Sequence, residues 1–93
     1  MLNKSILLID DHALFRSGMR LLLLAGMQQV QVFEASSLEQ AINETRQVPD
    51  MVLLDIQLNG VNGLQGMGMV KRQWPEVPVV MLSSVNDADT VRL

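Results

Sequence analysis

Three apolar stretches of this sequence end in short polar groups. Residues 5–9 lead into Asp10 and Asp11, residues 51–54 into Asp55, and residues 77–82 into Ser83 and Ser84. Asp55 alone reads equally well as the start of a turn, which aspartate often forms. Asp11 alone reads as the N-cap of a helix that follows at once. A cap accounts for one aspartate behind the first run but not for two. If the ends of these runs converge, three carboxylates meet, repelling one another and raising each other's pKa unless a cation sits among them. An all-oxygen, carboxylate-rich site suits a hard ion such as Mg²⁺, which takes one or two carboxylates and keeps several waters. A carboxylate beside such an ion can also act as a nucleophile toward a phosphoryl group, giving an aspartyl-phosphate.

Convergence depends on the elements that carry these residues. Runs 5–9 and 51–54 lack alternation, the pattern of strands covered on both faces in a parallel sheet. Residues 77–82 form another such strand, with Pro78 near its first position, where a strand tolerates proline. Residues 29–34 alternate loosely, as suits a strand nearer the sheet edge. Between the strands lie helical patterns. Residues 12–26 place Leu14, Gly18, Leu21, Leu22 and Ala25 on one face, with Gly26 as the stop. Ser36 with Glu39 predicts a capping box opening a helix to about Gln47. Asn62, after an Asn59-Gly60 turn, predicts the cap of a third helix to about Trp74, with Leu64, Met67, Val70 and Trp74 inward and Pro75 as its end. Gly66 and Gly68 weaken that helix by about 1 kcal/mol each relative to alanine, with close packing on the sheet the only reason evident for them. Asn86 and Asp87 predict the start of a fourth helix with Ala88 and Val91 inward. The methionines at 19, 27, 67, 69 and 81 fit core positions. His12 falls in the first turn of helix one beside the aspartates, as a neighbour rather than a ligand. The strand–helix alternation predicts an α/β fold with a parallel sheet, right-handed crossovers and helices on both faces. On that topology the polar ends share one sheet edge, where open α/β sheets bind ligands.

Composition bounds the rest. Ninety-three residues make one domain, 48% of them hydrophobic, enough to build a core. A net charge of −3 argues against direct nucleic-acid binding, which needs a basic face. The absence of cysteine excludes a disulfide framework and thiolate metal sites. No apolar run approaches a membrane span, and the first residues lack the features of a signal peptide, so a cytoplasmic location is expected.

Residues 6–12, together with Leu53-Leu54-Asp55 and Met81-Leu82-Ser83, resemble the receiver domain of bacterial two-component response regulators. Asp10, Asp11 and His12, followed by Arg16, Gly18 and Leu22-Leu23, look most like the branch with a C-terminal LuxR/NarL-type helix-turn-helix output domain. The resemblance covers essentially the whole chain. It implies a flavodoxin-like (CheY-like) doubly wound sheet of order 2-1-3-4. It further implies a non-enzymatic module in which Asp55 accepts a phosphoryl group from a sensor histidine kinase. Asp10, Asp11, Asp55 and the backbone carbonyl of Gln57 would hold Mg²⁺, with Asp10 acting through water or a second contact, and Ser83 would be the switch hydroxyl. DNA would be engaged only through a domain absent from residues 1–93.

Some positions depart from the family pattern. Asn59 stands where the family usually has proline, and Ser84 where it usually has alanine. The family's fifth strand, its lysine and its fifth helix find no counterpart, so the resemblance implies a receiver that is C-terminally incomplete. The lysines, Lys4 and Lys71, stand at positions unsuited to replace the missing one. An open fourth strand would favour a homodimer or a strand-exchanged dimer. Two other classes remain: a pseudo-receiver that binds partners without phosphorylation, and an aspartate-nucleophile phosphatase, whose usual second aspartate is replaced by Gln57. A nucleotide-binding domain fits less well, because no glycine-rich turn follows the first strand.

Overall fold

Backbone hydrogen bonding between apolar runs far apart in sequence sets the frame. The computed structural model describes residues 4–58 and 62–82. In order they form β1 (Lys4–Ile9), α1 (Ala13–Gly26), β2 (Val30–Ala35), α2 (Leu38–Glu44), β3 (Met51–Asp55), α3 (Gly63–Gln73) and β4 (Val79–Leu82). All strand pairs are parallel, in the order β2-β1-β3-β4, as expected. β2 lies at an edge, which its looser alternation foretold. It spans Val30–Ala35 rather than 29–34, because Gln29 turns the chain with a positive φ of 57°.

Successive strand residues point to opposite faces. Leu7, Ile9, Val52 and Leu54 meet Leu38, Ala41, Val70, Trp74 and Val77 on the α2–α3 side. Ile6, Leu8 and Leu53 meet Met19 and Leu23 of α1 on the other side. At the opposite edge of the sheet from the aspartates, Asp50 accepts from the Ser5 amide at 2.7 Å, and its own amide donates to the Ser5 carbonyl at 2.8 Å. This clasp holds β1 and β3 in register.

The helices correct several expectations. Leu14, Leu21 and Leu22 do not face the core: they are 88%, 67% and 69% exposed. Gly18 and Ala25 lie on the same outer face, while Met19 and Leu23 point inward. Residues 21–24 are all leucine, so the periodicity offers two stripes. Arg16 chooses between them by donating to the Asp10 carbonyl and to Glu34 Oε1 at 2.9 Å, which fixes the roll of the helix. The N-cap of α1 is His12, with no side-chain capping bond, so Asp11 is not the cap.

In α2 the cap is Ser37, not Ser36: its hydroxyl accepts from the Gln40 amide at 3.0 Å. Gln40 Oε1 reaches back to the Ser36 amide at 2.7 Å, a capping box displaced by one residue and using Gln40 in place of Glu39. The helix ends at Glu44 rather than Gln47. Replacing Ser37 by alanine is expected to lower unfolding free energy by about 1 kcal/mol. Denaturant titration against Ser36→Ala, which leaves that capping bond intact, checks the assignment.

Asn62 does cap α3, accepting from the Gln65 amide at 2.8 Å. Val70 and Trp74 are buried and Met67 packs on them, but Leu64 is exposed. Gly66 is buried, whereas a Cβ at Gly68 would meet nothing within 4 Å, so close packing does not explain Gly68. Met27 is likewise exposed rather than core. β4 starts at Val79, after Pro78, whose carbonyl accepts from the Val52 amide. The predicted turn at Asn59-Gly60 and the predicted fourth helix lie outside the described residues.

Candidate functional site

The strand register assembles the site. Ile9 pairs with Leu54, so the next residues, Asp10 and Asp55, stand side by side at the carboxyl ends of neighbouring parallel strands. Asp10 continues the β1 ladder by donating its amide to Ala35 O at 3.0 Å, and Ile56 N donates to Leu82 O at 2.8 Å. Both carboxylates are buried, Asp10 completely and Asp55 to 1% exposure. Asp11 lies one residue further out, half-buried, on an open groove shared with Ser36, Leu38, Glu39, Leu58 and Met69.

Each carboxylate is oriented by its own loop. Asp10 Oδ1 accepts from the His12 amide at 2.7 Å, and Asp55 Oδ1 accepts from the Gln57 amide at 3.0 Å. These are two copies of one local device, an aspartate bonding to the amide two residues on. Arg16, bound to the Asp10 carbonyl, ties the first loop to α1. The second contact of Asp10 is missing: Oδ2 is buried and accepts no hydrogen bond among the described residues. Such an atom loses its hydration without compensation. Burial, and then the nearby Asp55 charge, hold the Asp10 carboxyl above its ordinary value of 3.8, against the opposing pull of the His12 amide.

One ligand atom each from Asp10, Asp11, His12 and Asp55 lies within 4.8 Å of all the others. The imidazole Nδ1 of His12 is 3.2 Å from Asp11 Oδ1, 3.6 Å from Asp10 Oδ1 and 3.9 Å from Asp55 Oδ2. The structure brings together the three aspartates that the sequence expected to converge, with His12 beside them. The signal for His12 was present: a lone histidine directly behind a paired aspartate at a strand–helix junction. The packing of Arg16 against the Asp10 carbonyl carried no local signal, because guanidinium groups bind backbone oxygens wherever the fold brings one near.

The donor set fits a divalent cation. Two buried carboxylates side by side repel by about 3–4 kcal/mol at an effective dielectric near 20, and a cation between them reverses that sign. The unsatisfied Asp10 Oδ2 is the atom such an ion would engage. Gln57 is brought to the site through its amide, as the partner of Asp55. Lys4 begins β1, away from the strand ends that carry the aspartates, and Lys71 donates to the Val77 carbonyl at 2.7 Å, so neither lysine serves the site. Ser83 lies outside the described residues, but Leu82, which precedes it, pairs with Asp55.

Comparison with known proteins gives a consistent family. Residues 6–92 match the profile of the response regulator receiver domain. The chain is 34% identical over 88 residues to the nitrate/nitrite response regulator protein NarL of Escherichia coli, covering 94% of this chain and 41% of that protein. It is also 34% identical over 88 residues to a glycerol metabolism activator of Pseudomonas putida, covering 92% and 40%. The chain thus spans about 40% of the length of these curated relatives. Among solved structures, a LuxR-family two-component response regulator from Aurantimonas sp. shares the fold at a TM-score of 0.76 and 23% identity, over 95% of this chain and 64% of that one. The bacteriophytochrome response regulator AtBRR matches at 0.75 and 25%, over 97% and 73%.

Proposed function

The chain belongs to the response regulator receiver domain family, and on that premise we propose that Asp55 accepts a phosphoryl group from the phosphohistidine of a sensor histidine kinase. The observation that carries the proposal is the buried Asp10–Asp55 pair at the carboxyl edge of the sheet, with Asp10 Oδ2 unsatisfied among the described residues. Mg²⁺ would be held by Asp10, Asp11, Asp55 and the backbone carbonyl of Gln57, and when bound it would neutralise charge on the phosphoryl oxygens.

The protein's own residues supply positioning. The Gln57 amide fixes Asp55 Oδ1 at 3.0 Å, and His12 Nδ1 stands 3.9 Å from Oδ2. Asp55 attacks phosphorus as a carboxylate. A P–O bond forms, the P–N bond breaks, and the leaving imidazole keeps the electron pair and takes a proton. Ser83 is the hydroxyl expected to engage the added group, and the output is a changed partner surface. A Pseudomonas putida relative is named a transcriptional activator protein. We extend transcription control to this chain on that likeness, exerted through a DNA-binding domain outside these 93 residues. β4 is an edge strand among the described residues, so pairing between two copies at that edge belongs to the same proposal.

The deciding measurement is intact mass after incubation with a small acyl phosphate. One phosphoryl adduct is expected with Mg²⁺ and none with a chelator. No adduct in either condition would remove the acceptor role and favour an interaction module that works without phosphorylation. No helix among the described residues is long and apolar enough to cross a membrane.

A further inference from the structure

The imidazole of His12 is oriented into the acidic cluster rather than merely lying near it. Its backbone is pinned on both sides: the amide donates to Asp10 Oδ1 at 2.7 Å, and the carbonyl accepts from the Arg16 amide at 2.9 Å. With the backbone so held, Nδ1 comes within 3.2–3.9 Å of an oxygen on each of the three aspartates. Those spacings are a little wider than the separation of neighbouring donors around a bound ion. Bonds of about 2.1 Å place neighbouring donors roughly 3.0 Å apart around an octahedral ion and roughly 3.4 Å apart around a tetrahedral one. A second observation points to an ion in the same cluster: Asp10 Oδ2 is buried and accepts no hydrogen bond among the described residues. The side chain of His12 is 56% exposed, so the ring can adjust its tilt without disturbing the core.

We propose that His12 is the nitrogen donor of this centre, so that the site binds borderline divalent transition ions of the Mn²⁺, Co²⁺ and Zn²⁺ kind through Nδ1 as well as through carboxylate oxygens. The proposal rests on the reading of the aspartates as a cation site. An imidazole nitrogen adds little to Mg²⁺, which prefers oxygen, and much to the later first-row ions. A bare preference for Co²⁺ over Mg²⁺ proves nothing, since almost any such site has one. The change in that preference when His12 is replaced is the diagnostic quantity. The competing arrangement is a protonated imidazolium that pairs with the carboxylates and occupies the cation's place. Replacing it would then strengthen binding of every divalent ion alike.

His12 is the only histidine of the chain, which makes the test direct. Coordination through Nδ1 leaves Nε2–H as a single solvent-exchangeable proton that bound Co²⁺ shifts far outside the ordinary proton NMR range. That signal is expected in the wild-type chain and not in His12→Asn. By calorimetry, His12→Asn should weaken Co²⁺ binding by at least about tenfold, the lower end of what loss of a ligand-supporting group costs. Mg²⁺ binding should change by less than about twofold, as an oxygen-preferring ion requires. Circular dichroism confirms that the variant is folded. If both ions bind but the shifted proton is absent, or if both affinities change together, the nitrogen donor is overturned while the acidic cation site stands. If neither ion binds the wild-type chain, the cation site itself falls and the proposal falls with it.

Discussion

The Asp55→Asn chain is expected to gain no phosphoryl group from an acyl phosphate and Mg²⁺, under conditions in which the wild-type chain gains one. The amide of asparagine is not a nucleophile toward phosphorus. No neighbour can stand in for the lost carboxylate in the same geometry. Asp10 stands at the end of β1 and Asp11 on the groove side of the site, so neither lies at the end of β3, where Asp55 does. Asparagine keeps an oxygen for the Gln57 amide, so the loop should retain its shape. Asp11→Asn makes the informative comparison. It leaves Asp55 intact but removes one of the carboxylates proposed to hold the cation, and it should slow the reaction on the order of 10²-fold, the usual scale for removing one electrostatic contributor. Tandem mass spectrometry of the wild-type adduct should place the phosphoryl group on residue 55. An adduct of equal yield on the Asp55→Asn chain would show that the acceptor has been misassigned.

Asp10→Asn should have the opposite effect on the resting fold: without divalent ions it is expected to be more stable than the wild type at pH 7. The asparagine Oδ1 can keep the bond from the His12 amide, and its Nδ2 can donate to the Asp55 carboxylate where two like charges met before. The gain is on the order of 1–3 kcal/mol, the range for relieving a buried, unsatisfied ionised group. For a domain of this size that is a rise in melting temperature of roughly 4–8 °C per kcal/mol. The pH dependence has a definite sign. Asp10 in the folded chain holds its proton above the ordinary 3.8, first because of burial and then because of Asp55. The folded state therefore binds that proton more tightly than the unfolded state does. Stability from this group is fully present below about pH 3.8 and is lost as the pH rises through the raised value. The variant has no such loss, so its advantage should be small near pH 4 and widen toward neutrality. Added Mg²⁺ is expected to reverse the order, because an ion held as proposed would stabilise the folded wild type and far less the variant. Trp74, the single tryptophan, is buried in the core and reports unfolding by its fluorescence. A variant less stable than the wild type at pH 7 without metal would show that the Asp10 charge is already compensated.

The strands were legible because a parallel sheet covered on both faces demands unbroken apolar runs, and residues 5–9 and 51–54 leave little room for another reading. The aspartates were legible for the same reason: a charge directly behind a buried strand must sit at its end, and parallel strands put those ends on one edge. Asn62 was legible as a cap because capping is local, depending on one side chain and an amide three residues on. The Ser36-Ser37 pair shows where local reasoning stops. Both serines can cap, with Glu39 or Gln40 to reach back, and only the point at which Ala35 leaves the sheet decides for Ser37. The roll of α1 was beyond the sequence altogether. Four consecutive leucines give two apolar stripes of nearly equal quality, and the choice is made by Arg16 reaching the Asp10 carbonyl on β1 and Glu34 on β2. His12 belongs with that case. Its type and position are local facts, but its placement within reach of Asp55, 43 residues away in the chain, comes from the β1–β3 register. Side-chain patterns along the chain determined which elements form and which residues end them. Contacts between elements determined which face each helix turns inward and which side chains meet at the sheet edge, because those alternatives differ by little locally and are separated only by long-range hydrogen bonds and packing.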